Sequence, residues 1–376
     1  MSRRGNGEGT IGRRKDGRWE ARISIPNAAG RPTRRSIYGK TRREVAGKLT
    51  LALSEVRQGT GLIADERLTV ADFLVAWLDN SARPNVRPRT LQLYEMIVRR
   101  HLVPAIGHHR LTRLEPGHVQ AMLNALLAWG YAASTIRTVR MVLSRALKQA
   151  LRWSLVGRNV ATLVDAPRGE SERPEPFRLE EVRQLLTGVK GHRLEALVTV
   201  AVLTGMRKGE LLALQWPDVD IDAATVRVSG SLQRLNGALV RGEPKTPQSR
   251  RVMAVPPQVV SALKLRRLQQ LEERLKLGAY WLDTRYVFTT ALGTPLEPRN
   301  VNRDFTKLLK DLGLRHQRFH DLRHCFATLQ LANHTPAHVV REQLGHSQIS
   351  TTLDIYSHAV AELHRESAAR LGELFA

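Results

Sequence analysis

One cysteine, Cys325, is all that the 376 residues contain. An intrachain disulfide is therefore excluded, and so is a cysteine metal cluster. A reducing compartment is the expectation. No leader peptide is expected either, since Met1–Thr10 is polar and no apolar stretch follows it. Long hydrophobic runs are missing as well. The longest, Leu194–Met206, is too short to span a bilayer and is interrupted by Glu195, Thr199 and Thr204. It reads as a buried core helix, and no membrane association is expected. No internal repeat or low-complexity tract stands out. Acidic side chains are in deficit: 35 Asp and Glu stand against 59 Lys and Arg, leaving a net charge of +24. So one-sided a balance is not needed for solubility and implies a polyanionic partner, with nucleic acid ahead of an anionic membrane surface.

What is present is a globular composition, 42% hydrophobic and 25% charged, long enough for two or three cores. The positive charge is concentrated early. Residues 1–60 carry a net +10 and residues 68–165 a net +8, so more than half the chain holds only +6. The first half reads as the grip on a polyanion, and the second half has room for something more specific.

Residues 8–58 predict a small sheet with a helix. Thr10–Arg14 is a short strand and Lys15-Asp16-Gly17 a turn. Over Arg18–Ile25 the residues alternate, with Trp19, Ala21, Ile23 and Ile25 on one face and Arg18, Glu20, Arg22 and Ser24 on the other. Arg34–Tyr38 is a third strand. Thr41 and Glu44 form a capping box for a helix to about Gln58. Arg13, Arg14, Arg18, Arg22, Arg34 and Arg35 edge this sheet, which suits a DNA groove, an ordinary solvated face being the alternative.

Residues 68–165 read as all helix. Thr69 opens a capped run to Leu78, Thr90 is the expected N-cap within Pro88–Arg100, and Pro116–Trp129 and Ser134–Trp153 follow. The last helix carries Arg137, Arg140, Arg145, Lys148 and Arg152 mostly off its apolar stripe. That pattern suits a phosphate backbone, or else a solvated surface. The polar, Pro-rich APRGESERPEP, Ala166–Pro176, reads as a linker. From Phe177 onward the pattern is mixed: helices at 178–189, 192–205 and 207–213, a β region at about 224–254, then helices.

This last part carries the chemistry. An apolar helix stops at Gly205, which puts Arg207 at the rim of a cavity with Glu210 one turn away to orient it. Lys245 falls at a loop tip in the β region. His320 and Arg323 are three apart and share one helix face. His320 and His324 are four apart, like a metal pair, but Asp321 stands where a metalloprotease has glutamate. No third ligand is evident, so no metal is expected. Cys325 reads as a small buried residue. His346 follows Gly345, and Tyr356 ends the series. A phenol is a poor nucleophile alone, but cations and imidazoles converging on it supply what attack on a phosphodiester requires.

The order Arg207, Lys245, His320-x-x-Arg323, His346, Tyr356 resembles the active-site set of the tyrosine recombinases, or phage integrases. The flanking text is similar too: TGMRKGELLALQW, EPKTPQSRR, FHDLRHCFATL and LGHSQISTTLDIYSH. The likeness covers residues 174–376. Cys325 departs from it, standing where small hydroxyl residues are common. Residues 68–165 resemble the family's core-binding domain and residues 8–58 its three-stranded arm-binding domain.

The resemblance implies a multidomain fold. Residues 1–60 would be an arm-type DNA-binding domain of small three-stranded β-sheet plus helix, and 66–166 an all-α core-binding domain. Residues 167–176 would be the linker, and 177–376 a mixed, mainly α catalytic domain with a small antiparallel β-sheet. It implies Tyr356 as nucleophile forming a 3′-phosphotyrosyl link, Lys245 as general acid and His320 as general base. Arg207, Arg323 and His346 would contact the phosphate, with Glu210 in support and no cofactor or metal. The expected activity is integration, and with help excision, of a phage or integrative plasmid through a Holliday junction. The expected partners are double-stranded attachment sites, a homotetramer exchanging C-terminal helices, an excision factor and a host DNA-bending protein. The place of action would be the bacterial cytoplasm and nucleoid. A non-catalytic DNA-binding regulator and a type IB topoisomerase are the competing readings. Intact Tyr356, Arg207 and Arg323 disfavour the first, and the arm-binding-like sheet disfavours the second. The same sheet makes chromosome-dimer resolution the lesser choice among recombinases.

Overall fold

The computed structural model describes residues 10–26, 32–57, 67–167, 169, 175–243 and 250–345. The chain divides into two compact units, Met1–Ser171 and Glu172–Ala376. Among the described residues it is mostly helical with small antiparallel sheets, as expected. No helix among them is long and apolar enough to cross a membrane.

The first unit begins with an antiparallel sheet in the order β1–β2–β3 (Thr10–Arg13, Trp19–Pro26, Pro32–Gly39), followed by α1 (Arg42–Arg57). Alternation in β2 selects the covered face: Ala21 and Ile23 are buried with Val45, Leu49 and Ala52 of α1. Thr41 caps α1, its hydroxyl accepting from the Glu44 amide at 3.2 Å. One residue departs from its expected place. Glu20, assigned by alternation to the solvated face, is buried, because Arg22 at 3.1 Å and Arg14 at 3.9 Å close over its carboxylate.

A helical assembly follows: α2 (Val70–Trp77), α3 (Arg83–Asn85), α4 (Pro88–Ile97), α5 (Val103–Ile106), α6 (Pro116–Ala128) and α7 (Ala133–Arg152). Thr69 and Asp72 form a capping box at the start of α2. Thr90 is not the N-cap of α4; Arg87 is, with Pro88 at the first helical position, where its missing N–H costs nothing. Single π-helical turns, Leu78–Ala82 and Val98–Leu102, precede α3 and α5. Each is followed by a proline, Pro84 or Pro104, which lacks the N–H and crowds the carbonyl four residues back; a wider turn relieves both problems. The core is built from α2, α4, α6 and α7, with Phe73, Trp77, Tyr94, Leu123, Val139, Leu143 and Leu147 among its buried members.

The second unit opens with α8 (Leu179–Gly188), α9 (Glu195–Thr204) and α10 (Lys208–Leu212). Then come β4 (Val219–Asp220), β5 (Thr225–Val228), β6 (Ser231–Leu235), β7 (Ala238–Gly242) and β8 (Arg251–Ala254), forming a β4–β5–β8 sheet and a β6–β7 ribbon. The remaining helices are α11 (Pro257–Leu277), α12 (Pro298–Asp311), α13 (Leu322–Ala332) and α14 (Ala337–Leu344). Helix α9 is apolar nearly all round and buried accordingly, packed by α11 and α13. It is the post against which the site is built.

Candidate active site

Two glycines fix where the arginines go. Helix α9 ends at Gly205 and α14 at Gly345, each in the left-handed region, with φ of 61° and 64°. A Cβ on Gly205 would lie 2.4 Å from Phe326 and 2.8 Å from Leu344, so α9, α13 and α14 meet there only because glycine is present. The left-handed turn leaves terminal helix carbonyls without amide partners. Arg323 takes them: Nη1 donates to Gly205 O at 2.7 Å and Nη2 to Leu344 O at 2.6 Å. Only 4% of Arg323 is exposed. An unpaired buried guanidinium would cost several kcal/mol, whereas a helix C-terminus offers about half a negative charge.

Arg207 is half-buried at the start of α10. Its Nη1 donates to Glu210 Oε1 at 2.8 Å, its backbone amide to Glu210 Oε2 at 3.0 Å, and its Nη2 to Gly345 O at 3.2 Å. Glu210 thus orients Arg207 as expected from their spacing. The Glu210 carboxylate is itself buried. Burial pushes its pKa up, but the guanidinium groups of Arg251 and Arg207 outweigh that and hold it below the usual carboxylate value.

His320 sits in a 3₁₀ turn, Phe319–Asp321, and not on the α-helix that carries Arg323, so the expected shared helical face is replaced by a turn-to-helix junction. Asp321 builds that turn: its buried carboxylate accepts from the Arg318 amide at 3.0 Å and from the Arg318 guanidinium at 3.1 and 3.2 Å. His320 stands edge-on to His324, ring centroids 5.8 Å apart. Protein packed around the imidazole, then the charge of Arg323 and the neighbouring His324, pushes its pKa down to about 4. The residue nevertheless keeps substantial solvent exposure, which weakens the burial contribution; the cations sustain the direction. A neutral imidazole is the state a proton acceptor needs. Cys325 is buried, and burial pushes its thiol up to about 11, an inert side chain accepting from the Phe177 amide at 3.3 Å.

Arg207, Glu210, His320 and Arg323 are therefore brought together from α10, the 3₁₀ turn and α13. Lys245, His346 and Tyr356 lie outside the described residues, as does the tail beyond Gly345. Sequence reasoning missed Arg251. From the start of β8 to the residue after it, Arg251, Met253 and Val255 alternate inward, and a buried arginine demands an anion; that alternation was the available signal.

The basic helix α7 lines a groove of about 860 Å³ in the first unit, with Arg137, Arg140, Arg145, Lys148 and Arg152 on it. Arg137 and Arg140 donate to Pro167 O and Val164 O, each at 3.1 Å, and Arg145 lies 5.8 Å over the Tyr94 ring. On the sheet, Arg13, Arg14, Arg18 and Arg22 are exposed; Arg18 is tied to Asp16 at 2.8 Å. Arg34 and Arg35 lie in β3, with side chains outside those described.

Comparison with known proteins gives these arrangements a family. Residues 176–362 match the phage integrase family, and residues 69–127 match a phage integrase N-terminal SAM-like domain. The chain is 30% identical to an integrase of Streptomyces ambofaciens, over 99% of this chain and 98% of that one. It is 29% identical to a tyrosine recombinase XerC-like protein of Caldanaerobacter subterraneus, over 96% and 98%. A fragment of the Tn1549 transposon integrase, in complex with transposon right end DNA, shares the fold with a TM-score of 0.70 at 21% identity, covering 81% of this chain and 100% of that one. Lambda integrase, as a tetramer bound to a Holliday junction, gives 0.57 at 19%, covering 93% and 96%. The chain belongs to the phage integrase family, the tyrosine-type site-specific DNA recombinases.

Proposed function

We propose that this recombinase integrates, and with an excision factor removes, a phage or integrative plasmid at double-stranded attachment sites. Residues 1–60 hold arm-type sequences and 66–166 the core site, and 167–176 link the core-binding part to 177–376, which perform catalysis. The observation that carries this reading is the pair Arg207 and Arg323, drawn to one helix end beside His320, immediately before His346 in the chain.

The chemistry follows from charge and proton flow. Arg207 and Arg323 bind the non-bridging oxygens of the scissile phosphate and stabilise the extra charge of the pentacoordinate transition state. His320, held neutral, accepts the Tyr356 phenol proton as the phenol oxygen bonds to phosphorus. Lys245 delivers a proton to the departing 5′ oxygen, leaving a 3′-phosphotyrosyl link and a free 5′-hydroxyl. His346 hydrogen-bonds the phosphate. Attack by a 5′-hydroxyl from a second duplex reverses each step and yields a Holliday junction, with no net loss of phosphodiester bonds. Two duplexes require four protomers. The tail residues Val360, Leu363, Leu371 and Phe375 suit an apolar receptacle on a neighbour. A groove of about 550 Å³ lined by Val202, Leu203, Met253, Phe326 and Leu329 has matching chemistry. A host DNA-bending protein assists assembly in the bacterial nucleoid.

The test is trapping on nicked DNA taken from the sequence flanking the gene. The full-length protein should form a covalent adduct on it, and Tyr356→Phe should form none. An adduct of equal yield in Tyr356→Phe would overturn the assignment.

A further inference from the structure

The three consecutive carbonyls at the end of α14 each receive an arginine from a different element. Gln343 O accepts from Arg251 Nε at 2.5 Å, Leu344 O from Arg323 Nη2 at 2.6 Å, and Gly345 O from Arg207 Nη2 at 3.2 Å. A helix C-terminus concentrates partial negative charge on these oxygens, so cations are favoured there. Three guanidinium groups on one helix end is more than capping requires. Two of them, in the reading above, face the phosphate. The third, Arg251, has no part in that reading: its side chain is 8% exposed, with Nε on Gln343 O and Nη2 on the Glu210 carboxylate.

Arg251 also holds the other end of the device. Its Nη2 donates to Glu210 Oε2 at 3.0 Å, while Glu210 Oε1 accepts from Arg207. One carboxylate is shared by two guanidinium groups, so the trio keeps a net charge of +1. If Glu210 had only Arg207, that pair would be neutral and Arg207 would present a far weaker field to a phosphate. Burial lowers the pKa of Arg251 and Glu210 opposes this, the pattern of a cation retained by its carboxylate.

We propose that Arg251 is a positioning residue for strand cleavage. It shares the charge of Glu210, so that Arg207 stays available to the phosphate, and it locks the end of α14, from which the chain passes to His346. It also begins β8, six residues after Lys245. It therefore links the parts of the chain that carry Arg207, Lys245 and His346 without touching the substrate. This role rests on the catalytic reading given above.

The experiment compares Arg251→Lys and Arg251→Gln with wild type in the full-length protein, under single-turnover conditions at saturating enzyme. Two nicked substrates are used, one with the natural scissile phosphate and one with a methylphosphonate there. The methyl group removes a non-bridging oxygen and its charge, so cleavage no longer depends on a guanidinium at that position. Loss of a direct donor slows such reactions by about 100- to 1000-fold, and loss of its positioner is expected to cost about 30-fold on the phosphate. On the methylphosphonate the loss should be less than about 3-fold. Glu210→Gln reports on the same bridge from its other end, and its substrate ratio must move with that of the Arg251 variants. Val226→Ala, at a buried position in the neighbouring strand β5, supplies a comparable loss of Tm with an unchanged ratio.

Equal slowing on both substrates would mean Arg251 serves only folding and would overturn the proposal. So would wild-type rates in both Arg251 variants. If both Arg251 variants fail to fold, Glu210→Gln decides by its ratio alone. Tyr356→Phe is run alongside. An adduct surviving in it removes the whole catalytic reading; its absence, with an unselective Arg251 effect, removes only this role.

Discussion

The arginines of the two units are used in opposite ways. In the second unit Arg207, Arg251 and Arg323 are held by helix-end carbonyls and one carboxylate, two of them buried. In the first unit the arginines of α7 line an open groove, and Arg137, Arg145 and Arg152 are exposed. The first arrangement uses hydrogen bonds to fix direction. The second ties each of Arg137 and Arg140 to a single carbonyl and offers charge to a partner that is itself a periodic array of charge. Arginine at a fork-shaped site is not replaceable by lysine, whereas at a phosphate rail it nearly is.

The widest separation between the two should appear on conservative exchange. Arg323→Lys keeps the charge but cannot span Gly205 O and Leu344 O together. Adduct formation should fall by about 100- to 1000-fold, with DNA affinity little changed. A lysine variant of normal rate would collapse the distinction. In the groove, by contrast, Arg145→Lys with Arg152→Lys should bind within about 3-fold of wild type. Removing charge there, with Arg140→Ala, Arg145→Ala and Lys148→Ala combined, should weaken DNA binding. It should also reduce the slope of log affinity against log salt by about 0.9 for each phosphate no longer neutralised, measured by titration at several salt concentrations. Cleavage rate at saturating enzyme should hold.

The smallest effect concerns His320. Its folded pKa is depressed from 6.5 to about 4, so above pH 6.5 it is neutral in both folded and unfolded chains. As pH falls below 6.5 the unfolded chain binds the proton first, and stability is lost down to about pH 4. His320→Asn should flatten part of that decline in denaturant titrations of DNA-free protein. An NMR titration of wild type should place the His320 midpoint well below 6.5. A midpoint at or above 6.5 would remove the neutral base from the site.

Much of this was legible in the chain. Thr69 and Asp72, Thr41 and Glu44, and the alternation in β2 are local rules, and they hold because their partners lie within one turn or one strand. Arg207 with Glu210 was legible for the same reason. Glu20 was not, because its burial depends on Arg14 arriving from outside its own strand. Thr90 lost the N-cap of α4 to Arg87, since Pro88 starts a helix so readily that it claims the earlier position. His320 and Arg323 were rightly paired but wrongly placed on one helix, because the buried Asp321 holds His320 in a preceding 3₁₀ turn.

By itself the sequence determined the family, the basic first half and which residues are candidates for the reaction, since those reside in residue types and their order. Only the tertiary structure decided that three arginines from α10, β8 and α13 converge on the last carbonyls of α14. The reason is physical: Arg323 can span Gly205 O and Leu344 O only once α9 and α14 close against each other at Gly205 beside Leu344, and no local pattern records where a distant helix will end.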